Sequence, residues 1–223
     1  MKIRYFDLGT CKCQELIFMK DFLPTFVNDY EIHGFEGIPI TFDKYKKKYS
    51  EYLDEKTHMH NLIISDEHNT MKKIYYSPNT VGCSIHKTKK NVQSDNYWTV
   101  PSVRFSHWLK DNNIDLKDSF NIVKINIEGA EWEFFNDIVD NNIKNDIDII
   151  CGTGHDVIKI KDFVENGIVE KYYKLLEDNN IHLHKWNVGN LWKYESQRVD
   201  IVKLIKEKYN KKKNHKIEHL FLL

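Results

Sequence analysis

Hydrophobic and polar positions along the chain form blocks that predict strands followed by helices. An apolar run at residues 3–8 ends in Asp7-Leu8-Gly9, and the segment after it repeats apolar residues at helical spacing. A second run, at residues 30–35, ends at Glu36-Gly37, and Pro39 then stands where a proline can open a helix. The start of the chain therefore predicts two strand–turn–helix units.

Five more apolar runs predict further strands, at residues 59–65, 122–127, 147–151, 181–186 and 217–223. Segments with apolar residues at helical spacing follow most of these runs. Because parallel neighbours need crossover connections, this alternation predicts an α/β fold with a doubly wound, mostly parallel, seven-stranded sheet. We interpret residues 1–223 as a single domain of this class, since a chain of this length suits one domain.

The segment 66–121 is too long for a simple connection between the third and fourth predicted strands. It contains two strand-like stretches, at residues 72–76 and 99–105, which predict an insertion with a hairpin. Segments that follow the carboxyl end of a strand lie where open α/β sheets bind ligands, so this insertion is a candidate cover for a substrate. A surface elaboration without ligand contact is the alternative.

Composition narrows the classes of partner. Lys plus Arg and Asp plus Glu both total 33, so a net charge of zero does not favour nucleic acid or an anionic membrane. Trp98, Trp108 and the basic stretch 206–216 keep nucleic acid open as an alternative, although we interpret that stretch as a solvated loop. Without C-x-x-C pairs, a long apolar run or a signal-peptide layout, we expect a cytoplasmic protein with reduced cysteines.

The turn after the first predicted strand indicates the class of cofactor. DLGTCKCQE has a single glycine, whereas a dinucleotide site would have G-x-G-x-x-G there. Asp7 and Glu36, which close the first two strands, suit a ligand that has both an ammonium group and a ribose diol, because carboxylates accept hydrogen bonds from both. S-adenosylmethionine has both groups. In the alternative, Asp7 caps the following helix and Glu36 is solvated.

Several motifs resemble, in order, those of FkbM-family methyltransferases: YFDLGTCKCQE, IHGFEGIP, NLIISDEHNTMKKIYYSP, VPSVRFSHWL and IVKINIEGAEWEFF. The most specific is KINIEGAE, which is similar to the family's K-I-D-x-E-G-A-E. The resemblance implies a class I, Rossmann-like fold and transfer of a methyl group from S-adenosyl-L-methionine to a hydroxyl of a sugar or glycan. The acceptor would be a small molecule or glycan, and the oligomeric state stays open.

The resemblance also implies which residues contact the cofactor. Asp7, Gly9 and Thr10 would line its methionine part, and Glu36 would hold its ribose. Ser65 and Asp66, at the end of the third predicted strand, would lie near the adenine. Asn126 counts among the cofactor positions, but the family usually has Asp there, and an amide cannot serve as a base. Cys13 replaces a glycine of the first-turn motif.

The residues that contact the methyl acceptor are predicted from later segments of the chain. Glu128 and Glu131 would face the cleft where cofactor and acceptor meet, with Glu131 binding the substrate; alternatively, both stabilise the start of a helix. His155, on the glycine-flanked loop CGTGHD, is our first candidate for the base that accepts the hydroxyl proton. Glu128 is the second, and Asp156 is the third predicted catalytic residue. We predict no metal site.

A protein that binds the cofactor without catalysis is the competing hypothesis. In that case, Asn126 and Cys13 mark lost chemistry, and residues 66–121 form a surface for a partner.

Overall fold

The computed structural model describes residues 1–78, 81–186 and 195–220. The strands of this part of the chain are β1 (Lys2–Leu8), β2 (Tyr30–Phe35), β3 (Thr57–His60), β4 (Ile63–Ile64), β5 (Thr70–Tyr76), β6 (Gln93–Val103), β7 (Ser119–Ile125), β8 (Ile149–Gly152) and β9 (Leu183–Lys185). The α-helices are α1 (Gln14–Phe22), α2 (Pro39–Lys48), α3 (Phe105–Asp111), α4 (Glu131–Asp140), α5 (Lys161–Glu165), α6 (Ile168–Asp178) and α7 (Glu195–Leu220).

The main sheet has six strands in the described part of the chain, in the order β3-β2-β1-β7-β8-β9. All neighbouring pairs are parallel, which confirms the predicted α/β class with a mostly parallel sheet. The chain moves outward in one direction from β1 and then in the other from β7. In doubly wound sheets, ligands bind at this reversal, outside the carboxyl ends of the two central strands.

Helices cover both faces of the main sheet, and side chains of β1 alternate between the two cores. Phe6 and Leu8 pack with residues of α3, α4 and α6, whereas Ile3 and Tyr5 pack with residues of α1 and α7. This two-sided burial explains why the central strands read as nearly continuous apolar runs. Among the described residues, none of the helices combines the length and apolar character that a membrane span requires.

The predicted third strand, residues 59–65, is wrong as one element. The chain leaves the main sheet after His60, and Ile63–Ile64 then pair with β6 in a separate three-stranded sheet of order β4-β6-β5. The side chain of Asn61 marks this break, because its amide donates to the backbone carbonyl of Glu36 at 2.8 Å. The two strand-like stretches predicted in segment 66–121 are β5 and β6, which pair antiparallel.

The predicted seventh strand, residues 217–223, is also wrong. Residues up to Leu220 continue α7, and residues 221–223 lie outside the described part. A short apolar run does not distinguish a strand from a helix, and here a long helix extends into it. The basic stretch 206–216 belongs to the same helix and is not a loop. Ile201, Ile205 and Tyr209 bury one side of α7 at a spacing of four residues.

Candidate functional site

Gly9 occupies the turn at the reversal of strand order. Its φ of +79° lies in the left-handed region, which favours glycine. A Cβ at this position would stand 2.1 Å from the backbone oxygen of Asn126, which follows β7. Only glycine therefore allows the loops after β1 and β7 to approach this closely.

Two cavities open on either side of Gly9. The first has a volume of about 100 Å³, lies towards β2 and has mostly apolar walls, which include Phe35, Ile38, Leu62, Ile63, Ile64 and Ile74. The second has a volume of about 630 Å³, lies towards β8 and β9, and has more polar walls, which include Thr10, Lys124, Thr153, His155, Tyr172 and Lys185. Gly9, Cys11, Val81 and Asn126 line both. A ligand bent around Gly9 would reach from one cavity into the other.

Glu36 lines the first cavity and is almost fully buried. Its two carboxylate oxygens accept hydrogen bonds from the backbone N–H groups of Cys11 and Ile38, each at 2.8 Å. Burial raises the pKa of Glu36 to about 7, although these N–H groups and Lys124 oppose the shift. The carboxylate keeps free lone pairs and gains from any further donor that enters the cavity.

Asp7 is fully buried and lines neither cavity. It lies opposite Lys124 in the register of β1 and β7, and the two side chains form an ion pair at 2.9 Å. Burial raises the pKa of Asp7 to about 6 even with Lys124 beside it. The residue that reaches the second cavity from this pair is Lys124, which sequence reasoning did not single out.

Thr10 and Asn126 stand at the centre of the site. Thr10 lines the second cavity, and Asn126 lines both. The Oδ1 atom of Asn126 accepts a hydrogen bond from the Thr153 hydroxyl at 2.7 Å, which ties the loop after β7 to the loop after β8. The Asn126 amide thus has a structural partner.

The turn before α1 places two cysteines in the left-handed region of backbone conformation. Cys13 has a φ of +58° and Cys11 a φ of +47°, both in the region that glycine adopts without strain. A side chain in this region costs about 1–2 kcal/mol. Glycine would be favoured over cysteine at both positions by this backbone geometry.

Glu131 stabilises the loop in front of α4. Its side chain is 1% exposed, and its two oxygens accept hydrogen bonds from the backbone N–H groups of Ile127 and Gly129, at 3.1 and 2.7 Å. Burial raises the pKa of Glu131 to about 7. Because Glu131 lines neither cavity, its geometry favours the helix-start alternative over the predicted contact with substrate.

Glu128 and Asp156 are joined by a residue of the insertion, Lys89. The ammonium of Lys89 is buried; it contacts the Glu128 carboxylate, lies 2.9 Å from Asp156, and donates to the Gly82 carbonyl at 3.1 Å. We call Lys89, Glu128 and Asp156 the Lys89 cluster. Burial and the neighbouring Asp156 raise the pKa of Glu128 to about 7, although the Lys89 ammonium acts in the opposite direction. Burial acts in the same direction on Asp156, but hydrogen bonds with Glu128, Lys159 and Lys89 outweigh it and hold the pKa of Asp156 below its usual range.

The Lys89 cluster holds the insertion over the crevice. Glu128 has a φ of +59°, an unusual conformation for a residue with a side chain, and its backbone oxygen accepts a hydrogen bond from the Ser84 hydroxyl at 2.7 Å. Lys90 N–H also donates to the Lys159 carbonyl at 2.9 Å. The neighbouring residues Val81 and Cys83 line the first cavity. The insertion therefore forms part of the site.

His155 lines the second cavity and is exposed to solvent. It immediately precedes the short 3-10 helix Asp156–Lys159 on the loop after β8. Of the three predicted catalytic residues, it is the one that lies outside the Lys89 cluster.

The chain matches no family model, and no curated protein matches it in sequence. A solved structure similar to it in part is Methyltransferase FkbM from Methylobacillus flagellatus KT, with a TM-score of 0.41 and 12% sequence identity. The likeness covers 73% of this chain and 36% of that chain, so this chain corresponds to about a third of that protein's length. A TM-score this low gives no support to a shared activity.

Ser65 and Asp66 do not line either cavity. The Ser65 hydroxyl is buried against that of Ser102 in the small sheet, and Asp66 forms an exposed ion pair with Lys72. The break after His60 explains this, because Leu62 then takes the position beside the first cavity. Within the described ranges, no group of three or more His, Cys, Asp or Glu residues is arranged to hold a metal ion.

Proposed function

We propose that this protein is an S-adenosylmethionine-dependent methyltransferase that transfers a methyl group to a hydroxyl of a sugar or glycan. The observation that carries the proposal is the buried carboxylate of Glu36 just after β2, beside a small apolar cavity that shares Gly9 and Asn126 with a larger, more polar one. Adenosine requires one apolar wall for the base and one acceptor for the ribose hydroxyls. The first cavity offers both, and at about 100 Å³ it would hold part of the adenosine, with the remainder in its opening.

The fit to the ribose follows from hydrogen-bond capacity. The Cys11 and Ile38 N–H groups use one position on each oxygen of Glu36, and an ionised carboxylate has about four. A diol would donate to the remaining positions and stabilise the charged form, which burial alone disfavours. The apolar walls of the first cavity suit a planar base.

The second cavity would take the amino-acid end of the cofactor and the acceptor. When bound, S-adenosylmethionine supplies a methyl carbon on a sulfonium, whose carbon–sulfur bond breaks with its electron pair on sulfur as an acceptor oxygen attacks. The protein's main task is to align these atoms. His155 would accept the hydroxyl proton, because it lines the cavity and lies outside the Lys89 cluster.

Transfer of a labelled methyl group from S-adenosylmethionine to a panel of sugars and glycans tests this proposal. We expect incorporation by the wild type and its loss, at unchanged affinity for S-adenosylhomocysteine, in His155→Gln. His215→Gln, at an exposed position of α7, is the matched control and should retain turnover. Equal turnover in His155→Gln and wild type would rule out the role of His155.

A second candidate function is cofactor binding without catalysis. The observation that favours it is the Lys89 cluster, which engages both carboxylates predicted to take part in catalysis. Binding of S-adenosylhomocysteine without methyl transfer to any acceptor of the panel would support this function over the first.

A further inference from the structure

Lys124 is a buried charged residue with access to the second cavity. It is 2% exposed, and it belongs to β7 at the reversal of strand order. Burial would lower the pKa of Lys124, but the carboxylates of Asp7 and Glu15 outweigh it and keep the pKa above its usual range. The cavity wall therefore carries a fixed positive charge next to Gly9.

The hydrogen bonds of this ammonium are incomplete in the described part of the chain. A lysine ammonium has three N–H donors. It donates one hydrogen bond, to the Gly9 carbonyl at 2.8 Å, and Asp7 Oδ1 lies 2.9 Å away as an ion pair without hydrogen-bond geometry. No other described residue accepts a hydrogen bond from this ammonium. Because a buried donor without an acceptor is costly, an acceptor from a ligand in the cavity would stabilise this arrangement.

The charges around this position favour an anionic ligand. Lys12 and Lys185, both exposed, line the second cavity together with Lys124, and Glu15 is the acidic residue of its described wall. Asp7, which does not line the cavity, offsets a second positive charge through its ion pair with Lys124. The sum over these groups is one positive charge, which suits a single carboxylate.

We propose that Lys124 binds the carboxylate at the amino-acid end of the cofactor. This inference rests on the proposed function, in which Glu36 holds the ribose in the first cavity. The two cavities meet at Gly9 and Asn126, so the part of the cofactor beyond the ribose passes Gly9 and enters the second cavity beside Lys124. Asp7 acts as a positioning residue, since it holds the ammonium from the opposite side of the cavity wall.

Calorimetric binding of two ligands separates this role from a purely structural one. S-adenosylhomocysteine carries the carboxylate, whereas 5′-methylthioadenosine has the same adenosine and sulfur without the amino-acid group. A hydrogen bond to a charged group contributes enough for the wild type to bind the first ligand about 10- to 100-fold more tightly. In Lys124→Met, we expect this ratio to fall by at least tenfold, with the affinity for 5′-methylthioadenosine unchanged.

Two further variants separate a loss of carboxylate binding from a folding defect. Asp7→Asn/Lys124→Met removes both charges of the buried pair, so no unpaired carboxylate remains, and it should show the same loss of ratio. Lys212→Met is the matched control: Lys212 also contacts one carboxylate, Asp148 at 2.7 Å, and one carbonyl, Ser119 at 2.9 Å. It lies at the amino end of β7, away from the cavities, and should keep the wild-type ratio.

The outcomes are distinct. Loss of the ratio in both Lys124 variants, and not in Lys212→Met, supports the assignment. Equal weakening of both ligands by Lys124→Met, or an unchanged ratio in the double variant, overturns it and leaves the proposed function intact. Failure of the wild type to bind either ligand overturns the proposed function and this assignment with it.

Discussion

The affinity for S-adenosylhomocysteine should depend on pH through Glu36. Without ligand, burial places the pKa of this carboxyl at about 7. Ribose hydroxyls would donate to the ionised form, so ligand binding should pull the pKa down and release a proton. Binding is therefore favoured above the ligand-free pKa and weakened below it.

The size of this pH effect follows from the pKa of Glu36 in the ligand-free protein. About nine tenths of the Glu36 carboxyl groups are ionised at pH 8 and about one tenth at pH 6, so the dissociation constant should rise about tenfold between these pH values. At pH 7, about half a proton should be released for each ligand bound. Calorimetry at pH 7 in two buffers with different ionisation enthalpies measures this number directly.

Glu36→Gln isolates the contribution of Glu36. Asp7 and Glu128, whose pKa values are about 6 and about 7, are present in both proteins and cancel in the comparison. The variant should bind more weakly at pH 8 and lose most of the pH dependence. The same tenfold change in Glu36→Gln, or an affinity of the wild type that does not vary with pH, would show that ionisation of Glu36 does not control binding.

Three predictions concern stability. Gly9→Ala should lower the free energy of unfolding by about 2 kcal/mol more than Gly167→Ala, because both glycines have positive φ but only a Cβ at Gly9 meets backbone; equal losses in urea denaturation would contradict this. Lys89→Met should cost about 3 kcal/mol in the same assay, since two carboxylates lose their shared cation, and an unchanged midpoint would refute that role. Glu131→Gln should cost about 1–3 kcal/mol, whereas Glu170→Gln, exposed in the first turn of α6, should leave thermal unfolding nearly unchanged.

The sequence predicts the ends of strands best where a strand is followed by a turn of distinctive composition. Asp7-Leu8-Gly9 and Glu36-Gly37 close β1 and β2 as expected, because each follows a long apolar run and contains a glycine. The break after His60 could not be predicted in this way. MHNLIIS reads as one strand, whereas the chain leaves the sheet where the Asn61 side chain donates a hydrogen bond to the Glu36 carbonyl.

Pairings between distant residues account for what sequence reasoning missed. Lys89 meets Glu128 across 39 positions, and Lys124 meets Gly9 across 115. Each lysine stands among many others in a lysine-rich chain, so spacing alone does not distinguish it. One local feature of the sequence does distinguish Lys124: it lies inside an otherwise apolar strand, where a charge requires a partner.

The most direct test of the proposed cofactor site is a thermal-shift titration with S-adenosylmethionine, S-adenosylhomocysteine and NAD, on the wild type and Glu36→Gln. A ligand that binds only the folded state raises the melting temperature. We expect stabilisation of the wild type by both adenosyl ligands, none by NAD, and a smaller shift in Glu36→Gln. No shift with either adenosyl ligand at millimolar concentration would contradict the claim that the crevice around Gly9 and Glu36 is a site for S-adenosylmethionine.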